Sequence, residues 1–126
     1  MATILIVDDR RTNREFLVTL LGYKGHRLLE ASDGAAALEL VRAEHPDLVI
    51  TDILMPKVDG YEFVRQMRTD PAISSTRVIF YTAIYDKEET GTLGDVGELI
   101  QHLDKPSEPE TILRVVDDVL GTVPEI

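Results

Sequence analysis

The chain reads as one α/β domain: five βα units making a doubly wound parallel sheet with helices on both faces. Three observations predict this class. Strand-length apolar runs alternate with helix-length segments from end to end, the pattern of a parallel sheet built from βα units. The best runs are continuous rather than alternating, as in strands buried on both faces. And four runs end on residues able to do chemistry: Asp8-Asp9, Asp52, Thr82 and Lys105. Sites in open α/β sheets form at the carboxyl ends of the strands.

The first strand is the run 3–7, ending Ile4-Leu5-Ile6-Val7 before Asp8 and Asp9. A helix follows near 11–21, with Phe16, Leu17, Leu20 and Leu21 on one face and Gly22 and Gly25 bracketing its end. A weaker strand lies near 27–31. Ser32 or Asp33 caps a helix near 34–44 whose stripe is Ala37, Leu38 and Val41, and Pro46 marks the stop. The third strand, 48–51, delivers Asp52. The loop Met55-Pro56-Lys57-Val58-Asp59-Gly60 leads to a helix near 61–69. The fourth strand, 77–81, delivers Thr82. A fourth helix somewhere in 86–96 is poor, because Gly91 and Gly94 each cost about 1 kcal/mol relative to Ala inside a helix. The fifth strand, 99–103, leads to Lys105. A last helix near 108–120 opens on Glu108-Pro109-Glu110, suited to a helix N-terminus, and turns Ile112, Leu113, Val116 and Leu120 to the sheet. The domain spans 1–121, and 122–126 reads as a tail or the start of a linker; Val123-Pro124 is hinge-like and favours a piece cut from a longer chain.

The 126 residues suffice for one domain with a real core. The 23 acidic against 13 basic residues leave a formal net charge of -10. That argues against sequence-independent nucleic-acid binding by this domain, which depends on Lys and Arg neutralising phosphates. There is no cysteine, hence no disulfide framework, thiol nucleophile or cysteine-ligated zinc. No apolar stretch reaches the roughly 18 residues of a membrane span, and no basic leader precedes the first strand. The cytoplasm is the default location.

Taken together, Asp8-Asp9, Asp52-Ile53-Leu54-Met55-Pro56 with Asp59-Gly60, Thr82-Ala83 and Lys105-Pro106 resemble the response-regulator receiver domains, the phosphoacceptor modules of two-component signalling. Each motif alone is weak. All four in this order, each at a strand end, are specific, and the resemblance covers about residues 3–120. It implies a flavodoxin-like sheet in the order 2-1-3-4-5.

The resemblance also implies roles. Asp52 is the phosphoacceptor, since a carboxylate can attack phosphorus and form an acyl phosphate. Asp9 and Asp52 ligate Mg2+ directly, Asp8 acts mainly through water, and the Leu54 backbone carbonyl supplies another oxygen, a donor set matching magnesium's taste for oxygen. Asp9 could instead, or also, cap the first helix. Lys105 brings a compact positive charge to a phosphoryl oxygen. Thr82 offers a hydroxyl, with the small Ala83 leaving access open. The Lys105-Pro106 peptide is expected to be cis, against the trans default of sequence physics. In the family an aromatic residue on the fifth strand moves inward with the threonine; here that position is His102, and a switching and a passive histidine weigh equally. His26 and His45 fall near turns and read as solvated. The implied output is a change at the surface of the fourth helix, fifth strand and fifth helix. The weak fourth helix puts any carry-over of a family dimer interface in doubt, though dimerisation stays open.

The resulting reading is a phosphorelay switch that takes its phosphoryl group from a histidine kinase or histidine phosphotransfer protein, rather than an enzyme turning over small substrates. An effector or kinase domain linked beyond Ile126 is compatible with it. Three other classes fit less well. A haloacid-dehalogenase-type phosphatase wants an acid two residues after its nucleophile, and Asp52-Ile53-Leu54 and Asp9-Arg10-Arg11 lack one. A pseudo-receiver that never takes phosphate is opposed by the presence of all five site residues. A nucleotide-binding domain fails for want of a glycine-rich phosphate loop.

Overall fold

The computed structural model describes residues 1–86, 88 and 99–121. The strands are β1 (Thr3–Val7), β2 (Arg27–Ala31), β3 (Leu48–Thr51), β4 (Arg77–Thr82) and β5 (Ile100–Asp104). The helices are α1 (Arg11–Gly22), α2 (Gly34–Glu44), α3 (Gly60–Thr69) and α4 (Pro109–Gly121). The helix expected within 86–96 lies, apart from 86 and 88, outside the described residues, as does the tail 122–126.

The strands form one parallel sheet in the order β2-β1-β3-β4-β5, the flavodoxin-like order the resemblance implies. Alternation along each strand sorts the core into two layers. Leu5, Val7, Val49, Val78 and Phe80 pack with Ala37, Leu38 and Val41 of α2 and with Phe63, Val64 and Met67 of α3. Ile4, Ile6, Leu48, Ile50, Ile79 and Tyr81 pack on the other face with Leu17 and Leu21 of α1 and Ile112, Val116 and Val119 of α4. Burying one such side chain fully stabilises by about 1.5–3 kcal/mol. The two layers therefore fix the strand ends from both sides.

Several local details differ from expectation. In α1, Leu17 and Leu21 are buried at i and i+4, while Phe16, turned about 100° from Leu17, remains 42% exposed. Asp9 does not cap α1. The N-cap is Arg10, with no side-chain cap, since a guanidinium has no acceptor; the Arg10 amide itself donates to the Asp8 carboxylate at 2.9 Å. Asp33, not Ser32, caps α2, accepting from Ala36 N at 2.8 Å. His45 is exposed, as expected, in a left-handed conformation at the end of α2. His26 is not simply solvated: its Nδ1 accepts from the Ala2 amide at 3.1 Å. Burial, then the charge of the N-terminus, pull its pKa below the ordinary value, against the opposing pull of Asp117.

Candidate functional site

Register delivers the site. Val7 pairs with Thr51, Thr51 with Phe80 and Thr82 with Asp104, so the residues just past these pairs meet along one sheet edge. The ladders continue one step further: Asp52 N donates to Val7 O at 3.0 Å, and Lys105 N donates to Thr82 O at 3.0 Å. The acceptor-candidate backbone, the threonine and the lysine are thus held by sheet hydrogen bonds rather than by loop packing.

At the centre, Lys105 Nζ lies 2.5 Å from Asp8 Oδ2 and 2.9 Å from Asp52 Oδ2. Asp8 is almost fully buried, and an ion taken from water must be paired to be tolerated. Burial alone lowers the pKa of Lys105. The hydrogen bonds and charges of Asp8 and Asp52 more than reverse that, so the ammonium is held above its ordinary value. The remaining oxygens are also engaged: Asp8 Oδ1 accepts from Arg10 N, and Asp52 Oδ1 accepts from Ile53 N at 2.7 Å. The Lys105-Pro106 peptide is cis.

The end of β3 is backed by main chain. Gly60 N donates to Ile53 O at 2.8 Å, and a Cβ on Gly60 would stand only 2.3 Å from the Asp52 carbonyl oxygen. Glycine is needed there for close approach, not for its dihedral freedom. Asp59 then caps α3, accepting from Glu62 N at 2.9 Å. Buried Thr51 donates its hydroxyl to the Asp52 carbonyl at 2.8 Å. Thr82 is also buried, and its Oγ1 accepts from Ile84 N at 3.3 Å.

A cavity of about 500 Å³ opens over this group, lined among others by Asp9, Asp52, Leu54, Thr82, Ala83 and Lys105. The structure therefore brings Asp8, Asp52 and Lys105 into contact, with Thr82 adjoining through the backbone. Asp9 is exposed at the cavity wall and makes no hydrogen bond to a described residue. Among the described residues no three acidic or histidine side chains converge as a metal cluster. His102 stands apart, stacked on Tyr85 with ring centroids 4.0 Å apart and planes 9° from parallel. Its Nε2 lies 3.1 Å from Asp104 Oδ1.

Sequence reading missed several members. Tyr81 lies under the Lys105 ammonium at 5.6 Å and accepts from Ser107 N through its hydroxyl; its place one residue before Thr82 was a usable signal. Arg14 Nη1 donates to the Asp8 carbonyl at 2.7 Å. Arg10 and Asn13 line the cavity. Tyr85 had no signal, since the course of the loop after β4 alone brings it to His102.

The family model described as the response regulator receiver domain matches residues 4–117. The chain is 38% identical to Protein PilH of Pseudomonas aeruginosa over 121 residues, 96% of this chain and 99% of that protein. It is 33% identical to the probable transcriptional regulator ycf27 of Porphyridium aerugineum, covering 95% of this chain but 48% of that protein. Among solved structures, the Vibrio cholerae chemotaxis protein CheY4 superimposes with a TM-score of 0.85 at 31% identity, over 95% of this chain and 99% of that one. The receiver domain of a Syntrophus aciditrophicus signal transduction histidine kinase gives 0.86 at 27% identity, over 100% and 95%. The same fold unit thus stands nearly alone in one relative and beside other sequence in another. With its strand order, its strand-end residues and these likenesses, the chain belongs to the response regulator receiver domain family.

Proposed function

We propose that this receiver domain accepts a phosphoryl group on Asp52 from the phosphohistidine of a histidine kinase or histidine phosphotransfer protein, with Mg2+, and works as a switch rather than a turnover enzyme. One observation carries the reading: Lys105 Nζ contacts both Asp8 and Asp52 at the edge of an open cavity at the carboxyl ends of the strands. In the transfer, an Asp52 carboxylate oxygen forms the new P–O bond as the P–N bond breaks, and the imidazole leaves with the electron pair. Little else is asked of the protein than positioning and charge. Lys105 meets a phosphoryl oxygen, and the Thr82 hydroxyl a second.

The donor chemistry fits a hard divalent cation. Asp9 lines the cavity with a carboxylate that no described residue engages, and Asp52 and Leu54 line the same space. Asp8 is almost fully buried and is not among the cavity-lining residues, whereas Asp52 is, which suits an outer, water-mediated part for Asp8. Asp9, Asp52 and the Leu54 carbonyl would hold the ion, which when bound neutralises charge on the phosphoryl oxygens. The domain is proposed to span 1–121 and to signal through the face around β5. Among the described residues no helix is long and apolar enough to cross a membrane; a cytoplasmic setting is part of the proposal.

The test is intact mass under mild conditions after incubation with acetyl phosphate and Mg2+. Wild type gains one phosphoryl group and Asp52→Asn gains none. An unchanged wild-type mass refutes the reading.

A further inference from the structure

The acid-rich edge poses an electrostatic problem for the proposed reaction. A phosphoryl donor arrives as an anion, the chain carries a net charge of -10, and Lys105, the one cation among the described residues in contact with the acceptor, is already shared between two carboxylates. A second positive group at the cavity would favour the approach.

The start of α1 supplies one. Arginines stand at positions 10, 11 and 14. Arg11 pairs with Glu15 at 2.8 Å. Arg14 pairs with Glu30 and donates to the Asp8 carbonyl. Arg10 has no ion pair with any described residue, although Asp8 and Asp9 immediately precede it in the chain, and it lines the cavity with Asn13, Asp52 and Lys105. Its backbone is fixed to the site by the bond from Arg10 N to Asp8 Oδ1. The placement also runs against helix electrostatics: the first turn of α1 has no acidic residue, where carboxylates are favoured and cations are not. An arginine that lines a cavity at the positive end of a helix, with no ion pair to a described residue, is disposed to meet an anion. Its forked donors match phosphate oxygens.

Resting on the phosphoacceptor reading, we propose that Arg10 is an anion-binding residue at the cavity wall. It engages the non-bridging oxygens of the incoming phosphate compound, with the Asn13 amide beside it, and so sets the affinity for small phosphodonors rather than the rate of the chemical step. Lys105 serves the acceptor side and Arg10 the donor side.

Saturation kinetics with acetyl phosphate and Mg2+ decide it. Arg10→Ala raises KM about three- to tenfold and leaves the maximal rate and the melting temperature essentially unchanged. Arg10→Lys recovers part of the affinity, since it keeps the charge and loses the fork. Arg11→Ala, which removes a cation already paired with Glu15, behaves as wild type. The gap between wild type and Arg10→Ala narrows at high ionic strength, and the same ranking appears when beryllofluoride is titrated. A wild-type KM in Arg10→Ala, or an equal loss in Arg11→Ala, overturns the assignment while leaving Asp52 as acceptor untouched. Wild-type protein that takes no phosphoryl group overturns the phosphoacceptor reading and this inference with it.

Discussion

The imidazole of His102 lies flat on the phenol ring of Tyr85, 4.0 Å between centroids. This stack ties a residue of β5 to the loop that follows β4. It is the outer end of an aromatic row in which Tyr85 meets Phe80 at 6.3 Å and Phe80 meets Tyr61 at 5.4 Å. The Tyr61 hydroxyl accepts from Asp86 N at 2.7 Å, anchoring the loop one residue past Tyr85. Two residues before the anchor, Ile84 N donates to Thr82 Oγ1. A threonine hydroxyl drawn toward a phosphoryl group would leave that amide and release the loop carrying Tyr85.

The first prediction follows from the stack. Protons above an aromatic face are shielded, so the His102 ring signals in NMR lie upfield of those of exposed His45. Tyr85→Ala moves them downfield and leaves the His45 signals in place. Beryllofluoride with Mg2+ moves the His102 signals more than those of His26 or His45. Equal shifts at all three histidines would mean that His102 is passive.

Lys105 gives a pH dependence of defined sign. Its folded-state pKa is raised above the ordinary 10.5, so the folded protein holds the proton more tightly than the unfolded chain. The stabilisation is complete below pH 10.5 and declines as the pH rises through the higher folded value. Lys105→Met leaves the buried Asp8 unpaired and destabilises by about 2–4 kcal/mol at neutral pH. Urea denaturation at a series of pH values checks this: the difference between wild type and variant is constant through neutrality and shrinks in strong alkali.

Magnesium binding to the folded protein alone raises the melting temperature. At ten times Kd the gain is about 1.4 kcal/mol, a shift of a few degrees for a domain of this size. Asp9→Ala removes the response, because it deletes the carboxylate that no described residue engages. A wild-type melting curve indifferent to magnesium would refute the ion site.

The lifetime of the proposed acyl phosphate depends on access of water. Leu54 is 70% exposed and Ile84 51% exposed, and both line the cavity. Neither can hydrogen-bond a water in line with the phosphorus. Intrinsic phosphate loss is therefore slow, and Leu54→Asn and Ile84→Glu speed it, toward the lower end of the roughly 10²–10⁴-fold range of proton-transfer groups, since an orienting group does less than a base. Phosphate release from purified phosphoprotein measures it; unchanged rates in both variants would leave the two side chains without a part in the reaction.

The sheet was legible because continuous apolar runs have few alternatives in a βα pattern, and each strand was placed to within a residue. The strand-end residues were legible for the same reason: once the run is placed, the residue after it is placed. What was not legible depends on loop course and on side-chain direction. Nothing local marks Tyr85 as the partner of His102. The alternative capping role of Asp9 is not taken up, because the helix starts one residue later, with Arg10 at the N-cap. Phe16 passed for a core residue because one turned position on a helix keeps its hydropathy while losing its contact. His26 gained a partner from Ala2, 24 residues earlier, a separation no local pattern reports.

The two contacts of Lys105 reach back 97 and 53 residues along the chain, to Asp8 and Asp52. The lysine lies just past β5, the last strand in sequence and an edge of the sheet. No partial structure lacking that strand can assemble the charge group, however well its first four strands pair. The site thus doubles as a check on completion: a half-folded or truncated chain presents the aspartates without their counter-charge, and competence to signal arrives only when the final strand is in place.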